Sequence, residues 1–245
     1  MAIADSLGDV AERTVVEIGP GGGAITEVLS RRAGRLVAIE LDRELAPRLR
    51  AQFADTPSVE VIEADVLAVD LDSLRRDEER LLVVGNLPYY ITSDILLRLF
   101  HFHASISRAV VMVQREVADR VAAVPGTRDY GLLSATTQLY ARVERVLTLP
   151  PSAFLPPPEV HSTVLRLTMQ PRFAELGVEP DEFIAFLKQS FAQKRKTLAK
   201  NLRAAGFDGA CVAEALPSAG IPPMARAEEL GPEPMAALWK GLQGR

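Results

Sequence analysis

The residues Asn86-Leu87-Pro88-Tyr89 follow a run of apolar side chains and a glycine in the stretch RLLVVGNLPYYITSDILLRLF (80–100). An amide, a carbonyl and an aromatic ring in four consecutive residues suit a flat base with an exocyclic amine. Such an amine is a poor nucleophile because its lone pair is delocalised into the ring. The Asn86 side-chain oxygen and the Leu87 backbone carbonyl can accept its two N–H groups, and Pro88 keeps that carbonyl aimed. A nitrogen held this way turns pyramidal, and its lone pair can attack a methyl sulfonium in line. That is catalysis by positioning and preorganised electrostatics. It calls for no strong base, and no histidine stands nearby in the chain. Tyr89 offers a stacking face, worth roughly 1–3 kcal/mol per base, which is comparable to the few kcal/mol lost in unstacking a nucleotide. Phe154, in SAFLPPPEV, is a candidate for the opposite face, with a core role under the loop as the alternative. Tyr90 is expected to pack.

A second group of residues suits a nucleoside. EIGPGGGAITE (17–27) carries Gly19, Gly21 and Gly23, which allow tight turning and close approach of a ligand to the backbone. Gly19-x-Gly21-x-x-Ala24 also fits a dinucleotide fingerprint, so a nicotinamide enzyme is a rival. Three acids bear on the choice. Glu17 precedes the loop, Glu40 ends a second apolar run where it can accept from ribose hydroxyls, and Asp65 ends a third where it can accept from an adenine amine. No arginine clamp for a pyrophosphate accompanies them. A cofactor with a nucleoside and a positive centre but no phosphates, such as S-adenosylmethionine, suits this set.

The elements that must position these residues alternate over the first 115 positions. TVVEIG (14–19), RLVAIEL (35–41), VEVIEAD (59–65), RLLVVG (80–85) and RAVVMVQ (108–114) read as strands, with helical patterns between them. This is the signature of a doubly wound α/β fold, which collects ligands at the carboxyl edge of a parallel sheet. ARVERVLTLP and HSTVLRLTMQ read as an antiparallel edge hairpin joined by PPSAFLPPPEV. From residue 172 the pattern is helical only (181–193, 195–205, 208–215 and 233–242), giving an expected division into 1–171 and a small helical domain 172–245.

Composition narrows the class. With 245 residues, 48% hydrophobic and 24% charged, the chain has a globular profile and no apolar run of membrane-spanning length. A single cysteine excludes an internal disulfide and fits a reducing cytoplasm, and three histidines give no metal site. The net charge of −4 is unevenly spread: −5 over residues 1–150 and +1 over 151–245. LKQSFAQKRKTLAKNLR (187–203) holds six basic residues and no acid, either a solvated helix face or a polyanion contact.

Taken together, VVEIGPGGGAIT, IELDRELAPRL, EADVL, NLPYYITSDIL, PPSAFLPPPEVHSTVLRL and FAQKRKTLAKNL resemble the KsgA (RsmA) family of rRNA adenine N6,N6-dimethyltransferases over roughly residues 14–203. The resemblance implies a Rossmann-like S-adenosylmethionine domain. The cofactor would lie on the Gly19–Gly23 loop, Glu40, Asp65, Val66 and Asn86. Asn86, Leu87, Pro88 and Tyr89 would form the catalytic loop, with Phe154 helping to clamp adenine. Lys194, Arg195, Lys196 and Lys200 would contact RNA. The implied substrate is two adjacent adenosines near the 3′ end of small-subunit rRNA in an assembling 30S particle, methylated by a cytoplasmic monomer. Family members carry a GQNFL-like lid before the first strand. Thirteen residues precede it here without that motif, so the lid is expected to be missing. Gly22, Glu159 and His161 also depart from the family pattern. The alternatives are a non-catalytic assembly factor of the same fold, a resistance-type rRNA adenine methyltransferase and a DNA adenine methyltransferase.

Overall fold

The computed structural model describes residues 2–154 and 157–244; Leu155 and Pro156 of the proline-rich loop lie outside the described residues, as do Met1 and Arg245. The chain divides into two compact units, residues 1–118 with 142–169, and residues 119–141 with 170–245.

The first unit is built on a sheet of seven strands. They are β1 (Thr14–Ile18), β2 (Arg35–Glu40), β3 (Val59–Glu63), β4 (Leu81–Asn86), β5 (Ile106–Gln114), β6 (Ala141–Leu149) and β7 (Ser162–Met169), in the order β3-β2-β1-β4-β5-β7-β6. The first five are parallel, and β7 runs antiparallel to β5. The hairpin expected at the edge is therefore inserted with its second strand inward. Glu144 on β6 pairs with Arg166 on β7, and the Thr148 and Thr163 hydroxyls lie 3.0 Å apart, so partners descend as the chain ascends.

Apolar runs rather than alternation mark β1, β2 and β4 because both faces are covered. Val15, Leu36, Leu82, Val84 and Val110 share one core with Leu7, Val10 and Leu29. Their neighbours Val16, Val37, Val83 and Val111 point the opposite way along the pleat and are just as buried. The helices of this unit are α1 (Ala2–Asp5), α2 (Ala24–Leu29), α3 (Leu45–Gln52) and α4 (Thr92–His101). Pro47 is tolerated in the first turn of α3, where no intrahelical N–H is needed. On α4, Ile95, Leu96, Leu99 and Phe100 are buried, the spacing of one helical face.

Helix α5 (Arg115–Val121) spans the boundary between the units. The second unit holds α6 (Leu132–Tyr140), α7 (Phe173–Leu176), α8 (Pro180–Ser190), α9 (Leu198–Ala204), α10 (Gly209–Ser218) and α11 (Pro232–Gln243). It takes residues 119–141 as well as the expected carboxyl-terminal helices. The reason is the core: Tyr130, Ala135 and Leu139 are buried in one cluster with Phe183, Phe186, Leu202 and Leu238. A tail of short helices cannot bury enough apolar surface alone, and α6 supplies the missing wall. The basic stretch also departs from the expected helices 181–193 and 195–205. Residues 191–197 form turns between α8 and α9, and the Thr197 side chain caps α9 by accepting from the Lys200 N–H.

Candidate active site

Four adjacent strands, β3, β2, β1 and β4, end on the same edge, and a site residue stands at or just past the end of each. After β1 the chain turns through Gly19 and Gly21, both at positive φ, and enters α2 from Gly23, also at positive φ. Glycine takes this backbone without strain. β2 ends on Glu40, which is buried and bonded to the chain on either side: Oε2 accepts from the Gly21 N–H and Oε1 from the Asp42 N–H, each at 2.9 Å. Asp42 in turn accepts from the N–H groups of Glu44 and Leu45 at the start of α3, which holds its carboxyl below the usual range. Asp65 and Val66 follow β3, with Asp65 Oδ1 accepting from the Leu67 N–H at 2.9 Å.

β4 stops at Asn86 because Pro88 has no N–H to offer the ladder. Leu87 makes the last bond, its N–H donating to the Met112 carbonyl at 2.9 Å, and its side chain is buried. The Pro88 carbonyl accepts from the Thr92 hydroxyl at 2.9 Å and from the Ile91 N–H, so the turn is held from behind by the start of α4. Among the described residues, no hydrogen bond engages the Asn86 side chain or the Leu87 carbonyl. Gly85 lets this strand end lie close to β1: a Cβ there would meet the Ile18 carbonyl at 2.7 Å.

These segments enclose a cavity of about 550 Å³. Its lining includes Gly19, Gly21, Glu40, Asp42, Asp65, Val66, Asn86, Leu87, Pro88, Tyr89 and Tyr90. Three carboxylates line it and no lysine or arginine does. This charge set suits a nucleoside joined to a cation, and the family match given below decides against the nicotinamide reading of the glycine loop. The ligand set fits S-adenosylmethionine: carboxylates at the strand ends for the ribose hydroxyls and adenine amine, and apolar Ile18, Ile39, Leu41 and Val66 for the base. Sequence reasoning passed over Asp42; the Glu-x-Asp spacing at a strand end was the available signal.

Not every expected residue reaches the cavity. Glu17 is 1% exposed and is not among the lining residues. Its Oε2 has no hydrogen-bond partner among the described residues, and burial pushes its pKa up to about 7, partly offset by the neighbouring Thr26. Gly23 also lies outside the lining and starts α2, where a Cβ would meet Leu49 at 3.0 Å. Phe154 is half-buried against the sheet core and does not line the cavity among the described residues. Of the two tyrosines, Tyr90 departs from expectation. Tyr89 is 39% exposed, with its hydroxyl 3.3 Å from the Ser162 hydroxyl. Tyr90, expected to pack, is 78% exposed. The short 3₁₀ turn Tyr89–Ile91 buries none of its side chains, leaving both rings at the cavity. Lys194, Arg195, Lys196 and Lys200 are all exposed in the second unit. No group of metal-ligating side chains occurs among the described residues.

A doubly wound sheet with a glycine turn, an acid at the second strand end and, at the end of the fourth strand, an amide unbonded among the described residues matches an S-adenosylmethionine-dependent methyltransferase. The family described as "Ribosomal RNA adenine dimethylase" matches residues 2–242, and the chain belongs to that family. The chain is 65% identical over 244 residues to a ribosomal RNA small subunit methyltransferase A of Acidobacterium capsulatum, covering 100% of this chain and 86% of that one. It is 52% identical over 255 residues to the protein of the same name from Koribacter versatilis, with 99% and 89% covered. Among solved structures, a dimethyladenosine transferase from Plasmodium falciparum superposes with a TM-score of 0.82 at 22% identity, covering 99% and 94% of the two chains, and shares the fold. The 23S rRNA methyltransferase ErmE superposes with a TM-score of 0.72 at 27% identity, covering 98% and 95%. No described helix is long and apolar enough to cross a membrane.

Proposed function

We propose that the protein transfers methyl groups to the N6 amines of two adjacent adenosines near the 3′ end of small-subunit rRNA, giving N6,N6-dimethyladenosine, during assembly of the 30S particle. The observation that carries this reading is the acceptor pair at the end of β4, where Asn86 and Leu87 line the cavity with the Asn86 amide and the Leu87 carbonyl unengaged among the described residues. The names of the relatives at 65% and 52% identity support the small subunit over the 23S target of ErmE.

S-adenosylmethionine supplies the electrophilic methyl group. Glu40 and Asp65 hold its nucleoside, with Gly19, Gly21 and Val66 in contact. Asn86 Oδ1 and the Leu87 carbonyl accept the two amine hydrogens of the target adenine and withdraw the lone pair from the ring. Pro88, fixed by the Thr92 hydroxyl, keeps this carbonyl in place. Tyr89 stacks on the base, and the proton released on transfer leaves to solvent. Lys194, Arg195, Lys196 and Lys200 contact the RNA. We further assign the working form to a cytoplasmic monomer.

The test is methyl transfer from labelled S-adenosylmethionine to 30S particles lacking this modification, with the product read by nucleoside mass spectrometry. N6,N6-dimethyladenosine in small-subunit rRNA is expected. Transfer confined to 23S rRNA or to duplex DNA would overturn the reading.

A further inference from the structure

We infer that the first unit holds a second base-binding pocket beside the methyl-transfer site, in which Gln114 reads the neighbour of the target adenosine as adenine. This rests on the proposal that two adjacent adenosines are the substrate. The pocket, about 290 Å³, is lined by Gln114, Arg115 and Glu116 at the end of β5 and by Glu159, Val160 and His161 just before β7. That is the small end of the range for ligand pockets, room for one base.

The sheet sets its place. Asn86 at the end of β4 pairs with Met112, and β5 runs on two residues further to Gln114. Side chains alternate along a strand, so Asn86, Met112 and Gln114 project to one face of the sheet. On its other side Gln114 pairs with Ser162, whose hydroxyl lies 3.3 Å from that of Tyr89, the proposed stacking face. One strand spacing and two residues put the Asn86 and Gln114 Cα atoms about 8 Å apart. A stacked step is about 3.4 Å. Bases in the two sites therefore stand apart, the state that chemistry on a base requires.

The two walls are joined through the backbone. The Arg115 N–H donates to the His161 carbonyl at 2.9 Å, extending the ladder between β5 and β7. The side chains of Gln114, Glu159 and His161 make no hydrogen bond or ion pair among the described residues.

The lining selects the ligand. Arg115 against Glu116 and Glu159 leaves a net negative charge, which repels a phosphate. No group of metal-ligating side chains occurs among the described residues. Carboxylates and an amide accept from an amine, and Val160, 41% exposed, offers an apolar edge. The imidazole of His161 is a ring on which an unstacked base can lie. A carboxamide pairs with adenine through two bonds, accepting from the amine and donating to N7. Guanine presents a carbonyl where adenine has the amine, so it leaves the Gln114 oxygen unmatched.

The test replaces each adenosine of the pair in turn with guanosine, in 30S particles lacking the modification. Transfer from labelled S-adenosylmethionine to the remaining adenosine is measured as kcat/KM per acceptor. A good bidentate pair corresponds to a discrimination of at least about five-fold. The wild type is expected to lose that much with one of the two replacements. Gln114→Ala should treat the native and that replaced particle alike within about two-fold, with S-adenosylmethionine affinity unchanged. Equal transfer by the wild type to the native and both replaced particles would overturn the inference, and this comparison needs no variant. A folded Gln114→Ala protein that keeps the wild-type discrimination would overturn it too. Absence of transfer to the native particle would instead remove the proposed function, so the two failures are distinct.

Discussion

Glu40 fastens the glycine turn to the second strand: one carboxylate oxygen accepts the Gly21 N–H and the other the Asp42 N–H, each at 2.9 Å. A carboxylate oxygen has two lone pairs, so each still has one for a ribose hydroxyl. The same group therefore shapes the glycine turn and, in the proposed function, holds the cofactor's ribose. Removing it should cost both. Hydrogen bonds to a charged acceptor contribute about 1.5–3 kcal/mol each. Glu40→Ala should weaken S-adenosylmethionine binding by at least roughly ten-fold in calorimetric titration.

Asn86 is a different case, because among the described residues its side chain holds nothing in the protein. Asn86→Ala should leave the fold and cofactor affinity close to wild type. Loss of a preorganised acceptor costs about 10²–10³ in kcat. A single-turnover methyl-transfer assay beside cofactor titration separates the two effects, and normal turnover in the variant would remove the proposed role.

How far the site was legible in the sequence depends on what each residue needs. Glu40 and Asn86 end strands and Asp65 follows one closely, and strand ends can be read from apolar runs, so their meeting at one edge followed from the alternation of strands and helices. Asp42 and Tyr90 lie just past such ends, where the direction of a side chain depends on a turn that no periodicity announces. Glu17 was placed near the ligand because of its sequence position, but a residue inside a strand covered on both faces points into packing, and the pleat sends it under the loop. The helical unit was the hardest to delimit. Its core takes Tyr130 and Leu139 from a segment interposed between two strands of the sheet, a long-range choice set by burial.

Tyr89 offers a paired test of stacking. Tyr89→Phe keeps the ring and loses only a hydroxyl 3.3 Å from that of Ser162, so it should retain most activity. Tyr89→Ala should lose roughly 1–3 kcal/mol of base binding, seen as a higher KM for RNA with cofactor affinity held.

Gly85 tests the close approach of β4 to β1. A Cβ at this position would lie 2.7 Å from the Ile18 carbonyl and 3.1 Å from the Ile18 Cβ, atoms of a central strand that have no room to retreat. Overpacking of this kind costs about 1–3 kcal/mol. Gly85→Ala should lower stability in urea by that amount and, since it moves the end of β4, reduce turnover even where the protein is folded.

Glu17 gives the pH test. Burial raises its folded-state pKa to about 7 against an ordinary value of 4.5. Between these values the native state keeps a proton that the unfolded chain has released, so raising the pH through this window favours unfolding. The stability that neutral Glu17 allows is fully present below about pH 4.5 and is lost as the pH rises through about 7. The shift corresponds to about 3 kcal/mol at most. Glutamine has the same shape and cannot ionise. Glu17→Gln should therefore gain stability over the wild type at about pH 8 by about 1–3 kcal/mol and show a much smaller gain at about pH 4.5. Urea unfolding of both proteins at the two pH values measures the difference, and contributions from other titrating groups cancel in it. A gain of equal size at both pH values would mean that Glu17 does not titrate in this window. A loss at the higher pH would mean that the ionised carboxylate is held by a partner which the amide cannot replace.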